Sequence, residues 1–314
     1  MILVISHAGD DHAVGVLAAL KRRGHPAVLL DTARFPSGAS VTERFSVAGR
    51  WFQFSLNGDS FDLTACRAGW WRRPQPFTMD PRLAPAVVSF SYTECHEALA
   101  GLWSALEIKW VNPPALDEVA HHKPYQLAVA TEVGLPIPRT VITNNPATAR
   151  DFINELAPEP VIYKTFLANE QCWRETRIIR ADELELLDTV SLAPVIFQEY
   201  IPAVADVRVT VIGDQMFAAE IKATEGGYDI DYRMDLPGAR FEPTTLAAET
   251  ETGIRQLMKK LGLVYGAIDL RRTTAGDVFL EINPAGEWRF VEERTGQPIT
   301  QAMAELLAYL DSSS

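Results

Sequence analysis

Residues Gly266 to Trp288, GAIDLRRTTAGDVFLEINPAGEW, read as two short apolar strands joined by a turn of Thr, Gly and Asp. Asp269 falls on the first strand; Glu281 and Asn283 fall on the second. Side chains two apart on a strand share a face, so Glu281 and Asn283 project together. A hairpin tip at Ala275 would set Asp269 directly opposite Glu281. No basic residue stands between Glu281 and Asn283, and opposed carboxylates are unfavourable unless a cation joins them. An all-oxygen set of this kind suits Mg²⁺, which keeps some waters and takes further oxygens from nucleotide phosphates. The competing reading is an exposed hairpin with ordinary surface charges. Against it, these carboxylates interrupt apolar runs where a solvated face would be more mixed.

The chain has 314 residues, enough for two or three subdomains. With 47% hydrophobic and 22% charged residues it has the composition of a globular protein. The net charge of −12 and the lack of a basic run argue against nucleic acid as a partner. An acidic chain still binds ATP where local lysines and a metal gather. Cys66, Cys95 and Cys172 match neither a disulfide framework nor a zinc pattern, which fits a reducing cytoplasm. MILVIS lacks the order of a signal peptide, and no apolar run approaches the roughly 18 residues a membrane span needs. The expected location is cytoplasmic, with no membrane partner.

Working outward from the hairpin, the chain opens as strand (Met1 to Ser6), helix (Val14 to Arg23) and strand (Ala27 to Asp31), a βαβ start that favours a parallel sheet. Its loop HAGDDH has no G-x-G-x-x-G run, so a dinucleotide site is a weak reading. VTERFSV, WFQFSL and CRAGWWRR are β-like pieces, with Asn57-Gly58 as a hairpin turn. A helix is expected over Ala84 to Leu106, and WVNPP marks the end of a first α/β domain, 1–114. Helices at Lys123 to Glu132 and Ala147 to Leu156 and the strand VIYKTF make a second domain, 115–197. The third, 198–314, holds VIFQEYI (which starts at Val195), DVRVTVIGDQMFAAEIKA, a helix from Leu246 to Leu261, the hairpin, and a helix from Thr300 to Leu310 before a loose tail. The class is α/β overall, α+β in its later parts.

Lys164 lies inside the apolar strand VIYKTF, where a lysine either snorkels or holds an anion. Lys123 opens a helix, an unfavourable place for a cation that a bound phosphate would explain, as would surface chance. Gln198-Glu199-Tyr200-Ile201 ends a strand before Pro202 and leaves backbone groups that an adenine ring can read. Asp206 follows, placed to accept from ribose hydroxyls, and Arg208 and Lys222 sit on strands that Gly213-Asp214 joins. Adjacent His121 and His122 diverge and do not make a metal pair.

From about Lys123 to the last helix, this order resembles the ATP-grasp carboxylate–amine ligases. The resemblance implies an ATP-grasp fold in which Lys123 and Lys164 bind phosphates, Gln198, Glu199, Tyr200 and Ile201 hold adenine, and Asp206 holds the ribose. Arg208 joins that ATP-binding set. The D…E-x-N arrangement of Asp269, Glu281 and Asn283 would bind Mg²⁺, as two ions. Asp231, Tyr232 and Arg233 resemble the D-[FWY]-R element of the ribosomal-protein glutamate ligases, which implies a catalytic Arg233 beside the γ-phosphate, with Lys222 in the same role. After Lys164 the residues TFLANEQCWRETRII contain no glycine, where most members carry a glycine-rich lid. A lid here would work through Thr176 or Arg177.

That departure, WWRRP at Trp70 to Pro74, and NPAGEWRFVEERTGQPI after the metal strand resemble the microviridin-type branch, the graspetide synthetases. The first domain is similar to that branch's pre-ATP-grasp domain over short motifs. The resemblance implies a macrocyclase that forms ester or amide crosslinks in a ribosomal precursor peptide with a leader and an acidic core, and it leaves a homodimer open. Arg72, Arg73 and Arg289 are candidate substrate contacts; each is equally readable as a surface ion pair. Arg294 shares that ambiguity. Two alternatives remain: a ligase adding a free amino acid to a peptide or small acid, and a degenerate ATP-binding module that only binds a peptide.

Overall fold

The computed structural model describes residues 1–166, 176–222 and 238–313. Four parallel strands open the chain in the order β2-β1-β6-β7: β1 Ile2–Ile5, β2 Ala27–Leu30, β6 Ala68–Trp71 and β7 Lys109–Val111. All four residues of β1 are buried, as a central parallel strand covered on both faces requires. Helix α1, Asp11–Arg22, starts at Asp10, whose carboxylate caps the His12 amide, and ends on Lys21 and Arg22. Strands β3 (Ala39–Ser46), β4 (Gly49–Leu56) and β5 (Asp59–Asp62) form a separate antiparallel sheet. Asn57 and Gly58, both at positive φ (54° and 90°), make the two-residue turn expected of them. Helix α2 spans Pro85–Ala105.

Pro114 is the first residue of helix α3, Pro114–Ala120, where its missing N–H costs nothing. Helix α4, Lys123–Glu132, follows. The next sheet runs β10-β9-β11-β8, with β8 Thr140–Thr143, β9 Val161–Lys164, β10 Arg177–Ile178 and β11 Val195–Glu199. Helix α5, Pro146–Leu156, and a 3₁₀ segment, Ala181–Leu192, cover one face of it, burying Phe197 with Leu187 and Val190.

The last sheet runs β14-β13-β12-β15-β16, all antiparallel: β12 Ala205–Ile212, β13 Gln215–Lys222, β14 Arg240–Pro243, β15 Tyr265–Thr273 and β16 Gly276–Asn283. Helix α6, Ala248–Leu261, stops at Gly262 in the left-handed region (φ 68°) and packs with α4 against Val207, Val209, Ile268 and Leu270. Helices α7, Arg289–Thr295, and α8, Ile299–Ser312, complete the chain. The sequence reading did not foresee α7, and Asp311 and Ser312 finish α8 instead of starting a tail.

The opposite face of this sheet does not keep its core to itself. Ile212, Ala219, Tyr265 and Trp288 pack with Ile2, Val4, Val16 and Trp70 of the first domain and with Met303 and Leu307 of α8. The first and last parts of the chain therefore share one core, while the α5 sheet has its own. Among the described residues, no helix is long and apolar enough to cross a membrane.

Candidate active site

The hairpin fulfils the proposed pairing by a route that differs from the expected one. Thr273 pairs with Gly276, so the turn is the two residues Thr274 and Ala275, and that register alone would set Leu280 against Asp269. A bulge at Leu280 takes up one residue, and Asp269 then stands opposite Glu281, with Ala267 opposite Asn283. Paired residues of an antiparallel ladder share a face. Asp269, Glu281 and Asn283 therefore project together, joined by Arg208 of β12, the pairing partner of Asp269.

The α5 sheet faces this group across a cleft. Its floor holds Ile162, Lys164, Gln198, Glu199, Tyr200 and Ile201; its other wall holds Asp206, Asp269, Arg271, Leu280 and Glu281. Lys164 ends β9 beside Ile196 and points to the cleft side with Ile162 and Gln198, while Tyr163 and Phe197 turn to the helices. Gln198 is buried and donates to Thr140 Oγ1 at 2.8 Å. The Glu199 carboxylate accepts from the Arg139 amide at 3.1 Å. These contacts fix the last two residues of β11. Asp206 lies 3.4 Å from Arg271, whose guanidinium sits 5.5 Å from the centre of the Tyr200 ring.

Arg271 was not anticipated, although the two-residue period that groups Glu281 with Asn283 also puts Arg271 on the face of Asp269. Leu280 was missed because no local signal marks the bulge. Of the two proposed lid residues, Thr176 lines the cleft. Arg177 faces the other way, donating to Tyr163 Oη at 2.9 Å and approaching Glu183 to 3.7 Å.

The Asp269 and Glu281 carboxylates are charge-compensated by protein cations. Arg208 donates to Asp269 at 2.8 Å and to the Glu287 carbonyl at 3.0 Å, and Lys123, at the start of α4, bonds to Glu281. Arg208, read from the sequence as ATP-binding, thus sits beside the Asp269 carboxylate. Two carboxylates and an amide on one face fit Mg²⁺: hard oxygen donors, with coordination left for phosphates and water. Among the described residues no three His, Cys, Asp or Glu side chains converge as a metal set, so the candidate set depends on the Asn283 amide beside its two carboxylates. His121 is engaged by Asp117, with its Nδ1 3.4 Å from the carboxylate.

Two expectations need correction. Lys222 is not at the site: Ala219 and Ile221 share the face of Arg208 and Asp206, so Lys222 projects from the other side of β13, half exposed and paired with Glu220 at 2.5 Å. That hydrogen bond, ahead of burial, which works the other way, and Arg272, pulls the Glu220 carboxyl below its ordinary range. Arg72 is no substrate contact on an open surface: it is 1% exposed and bonded to Asp10 and to the carbonyls of Ala285 and Gly286. Arg73 pairs with Glu287 at 2.7 Å, and Arg289 with Glu293 at 2.7 Å, both at the surface. Arg294, the further candidate, stacks on Phe241 at 4.6 Å. Asp231, Tyr232 and Arg233 lie outside the described residues.

Comparison with known proteins agrees with this geometry. Residues 1–118 match the family model of an MvdD pre-ATP grasp domain, and residues 120–307 match a RimK-like ATP-grasp domain. The chain is similar to the structure of macrocyclase MdnC bound with precursor peptide MdnA from Microcystis aeruginosa, at 29% identity and a TM-score of 0.87, covering 98% of this chain and 99% of that one. It is also similar to ATP-grasp ligase PsnB complexed with a phosphomimetic variant of minimal precursor, Mg and ADP, at 25% identity and a TM-score of 0.76, covering 98% of each chain. A curated relative, a probable alpha-L-glutamate ligase from Shewanella amazonensis, is 26% identical over 187 residues, 58% of this chain and 61% of the relative. The chain thus spans about three-fifths of the length of that curated relative.

Proposed function

The chain belongs to the RimK-like ATP-grasp family, and from that premise we propose that it is an ATP-dependent ligase that closes ester or amide crosslinks within a ribosomal precursor peptide. The observation that carries this reading is the bulged pairing of Asp269 with Glu281 on the wall of a cleft whose floor holds Lys164 and the Gln198–Ile201 hinge. Similarity over nearly the whole chain to a macrocyclase bound with its precursor supports the peptide as substrate over a free amino acid.

In this reading adenine lies along Gln198 to Ile201, Asp206 takes the ribose, and Lys164 and Lys123 take the phosphates. Asp269, Glu281 and Asn283 would hold Mg²⁺, which, when bound, supplies positive charge to the phosphoryl oxygens. A side-chain carboxylate of the peptide attacks the γ-phosphorus, ADP leaves, and an acyl-phosphate forms. A peptide hydroxyl or amine then attacks the acyl carbon and releases phosphate. Arg233 is the proposed cation beside that acyl-phosphate. The chain's own residues supply position, charge and exclusion of water, and no enzyme nucleophile is needed.

Incubation with a precursor encoded beside its gene is expected to give ADP and a loss of about 18 Da per bond, the stoichiometry of condensation. Glu281→Gln should abolish ADP formation while retaining ATP binding. Mass gain by a free amino acid, with ADP release that needs no peptide, would refute the macrocyclase reading and select the glutamate-ligase-like one.

A further inference from the structure

The segment 284–289, which follows the metal strand, is held almost entirely by side chains from elsewhere. Asn112 donates to the Pro284 carbonyl at 3.0 Å, and Arg72 donates to those of Ala285 and Gly286, the latter at 2.9 Å. Tyr265 Oη adds a second bond to Gly286 at 2.7 Å, and Arg208 takes the Glu287 carbonyl. The next two amides, of Trp288 and Arg289, both donate to His12 Nε2, at 3.0 and 3.2 Å. Arg72 and His12 come from the first domain and are linked through Asp10, which accepts from Arg72 Nε at 3.1 Å and lies 3.4 Å from His12 Nδ1.

This wiring leads to two of the three candidate ligands. The Asn283 amide oxygen accepts the Ala285 N–H at 3.0 Å, which leaves its second lone pair directed elsewhere. The Asp269 carboxylate accepts from Arg208, whose other nitrogen is seated on Glu287. Arg72 lies beside the stacked rings of Trp70 and Trp288, 5.9 and 5.6 Å from their centres. An apolar side chain would fill that space as well, whereas a buried cation spanning two carbonyls fixes direction.

We propose that Arg72 and His12 are positioning residues through which the first domain sets the orientation of Asn283 and Asp269. The proposal rests on the reading of Asp269, Glu281 and Asn283 as metal ligands. Groups that orient ligands in this way typically change metal affinity about 10–100-fold when removed.

The test uses the full chain, with Mn²⁺ as probe, free Mn²⁺ counted by electron paramagnetic resonance in the presence of ADP. Arg72→Met and His12→Leu are expected to weaken Mn²⁺ binding about tenfold or more, while ADP affinity in EDTA stays within about twofold. His12→Gln, which keeps an acceptor at similar reach, should recover most of the loss. If Arg72→Met does not fold, the contrast of Leu with Gln at position 12, together with Tyr265→Phe, decides. Unchanged Mn²⁺ affinity in folded variants of lowered Tm would overturn the proposal. Equal Mn²⁺ binding by the unaltered chain and Asp269→Asn would overturn the metal reading as well.

Discussion

Asp117→Asn is expected to stabilise the protein above neutrality, with no gain in acid. The Asp117 side chain is 5% exposed, and its contacts are long: 3.4 Å to Asn112 Nδ2 and 3.4 Å to His121 Nδ1. Burial dominates and pushes the carboxyl up from 3.8 to about 6, with His121, Asn112 and Arg72 pulling against it. A folded-state pKa above the unfolded one means that the group favours folding least at high pH: its contribution is fully present below pH 3.8 and lost as pH rises through about 6. A shift of about 2 pH units corresponds to about 3 kcal/mol at pH 8. The amide escapes that penalty but forfeits attraction to His121 and one weak acceptor contact, worth about 1 kcal/mol. The net gain should be about 1–2 kcal/mol at pH 8, or about 2–4 °C in Tm for a chain of this size. Urea midpoints of both proteins at pH 5, 6, 7 and 8 measure it. A difference that does not grow with pH, or a less stable variant at pH 8, would refute the burial argument.

The first-domain wiring should respond in the opposite sense. Burial lowers the pKa of His12 against the pull of the neighbouring Asp10, with Arg72 adding to the depression. Its neutral, accepting form therefore contributes stability that is present above pH 6.5 and lost as pH falls through the lower folded value, so the advantage over His12→Gln in denaturant midpoint should shrink from pH 7 to pH 5. Gly286→Ala would place a Cβ 2.4 Å from Ala267 Cβ and 3.0 Å from Arg208 Nη2. Displacing both should cost about 1–3 kcal/mol by calorimetry and reduce turnover more than that instability explains. Lys222→Ala, by contrast, should leave kcat and the KM for ATP within about twofold, since its Glu220 pair lies on the other face of the sheet. A tenfold loss of kcat would return Lys222 to the site.

Much of the site was legible because it lies on strands, where a two-residue period converts spacing into facing. That period groups Glu281 with Asn283, sets Lys164 apart from Tyr163, and would have found Arg271 had it been applied to β15 as well as β16. It could not place Lys222, whose face depends on which neighbour its strand pairs with. Arg72 and Arg73 show a further limit. Consecutive arginines after two tryptophans look alike in a sequence, yet one is buried against Trp70 and Trp288 and the other pairs at the surface.

By itself the amino-acid sequence determined most of the succession of strands and helices, the candidate oxygen donors, and the family, because periodicity, capping and motif order are properties of neighbouring residues. Only the tertiary structure decided that Leu280 bulges to restore the Asp269–Glu281 pairing, that Lys222 faces away, and that the first domain reaches across more than 200 residues to hold 284–289. Those outcomes depend on registers, shared cores and buried polar contacts between distant segments. Their energies come from contacts that no local pattern specifies.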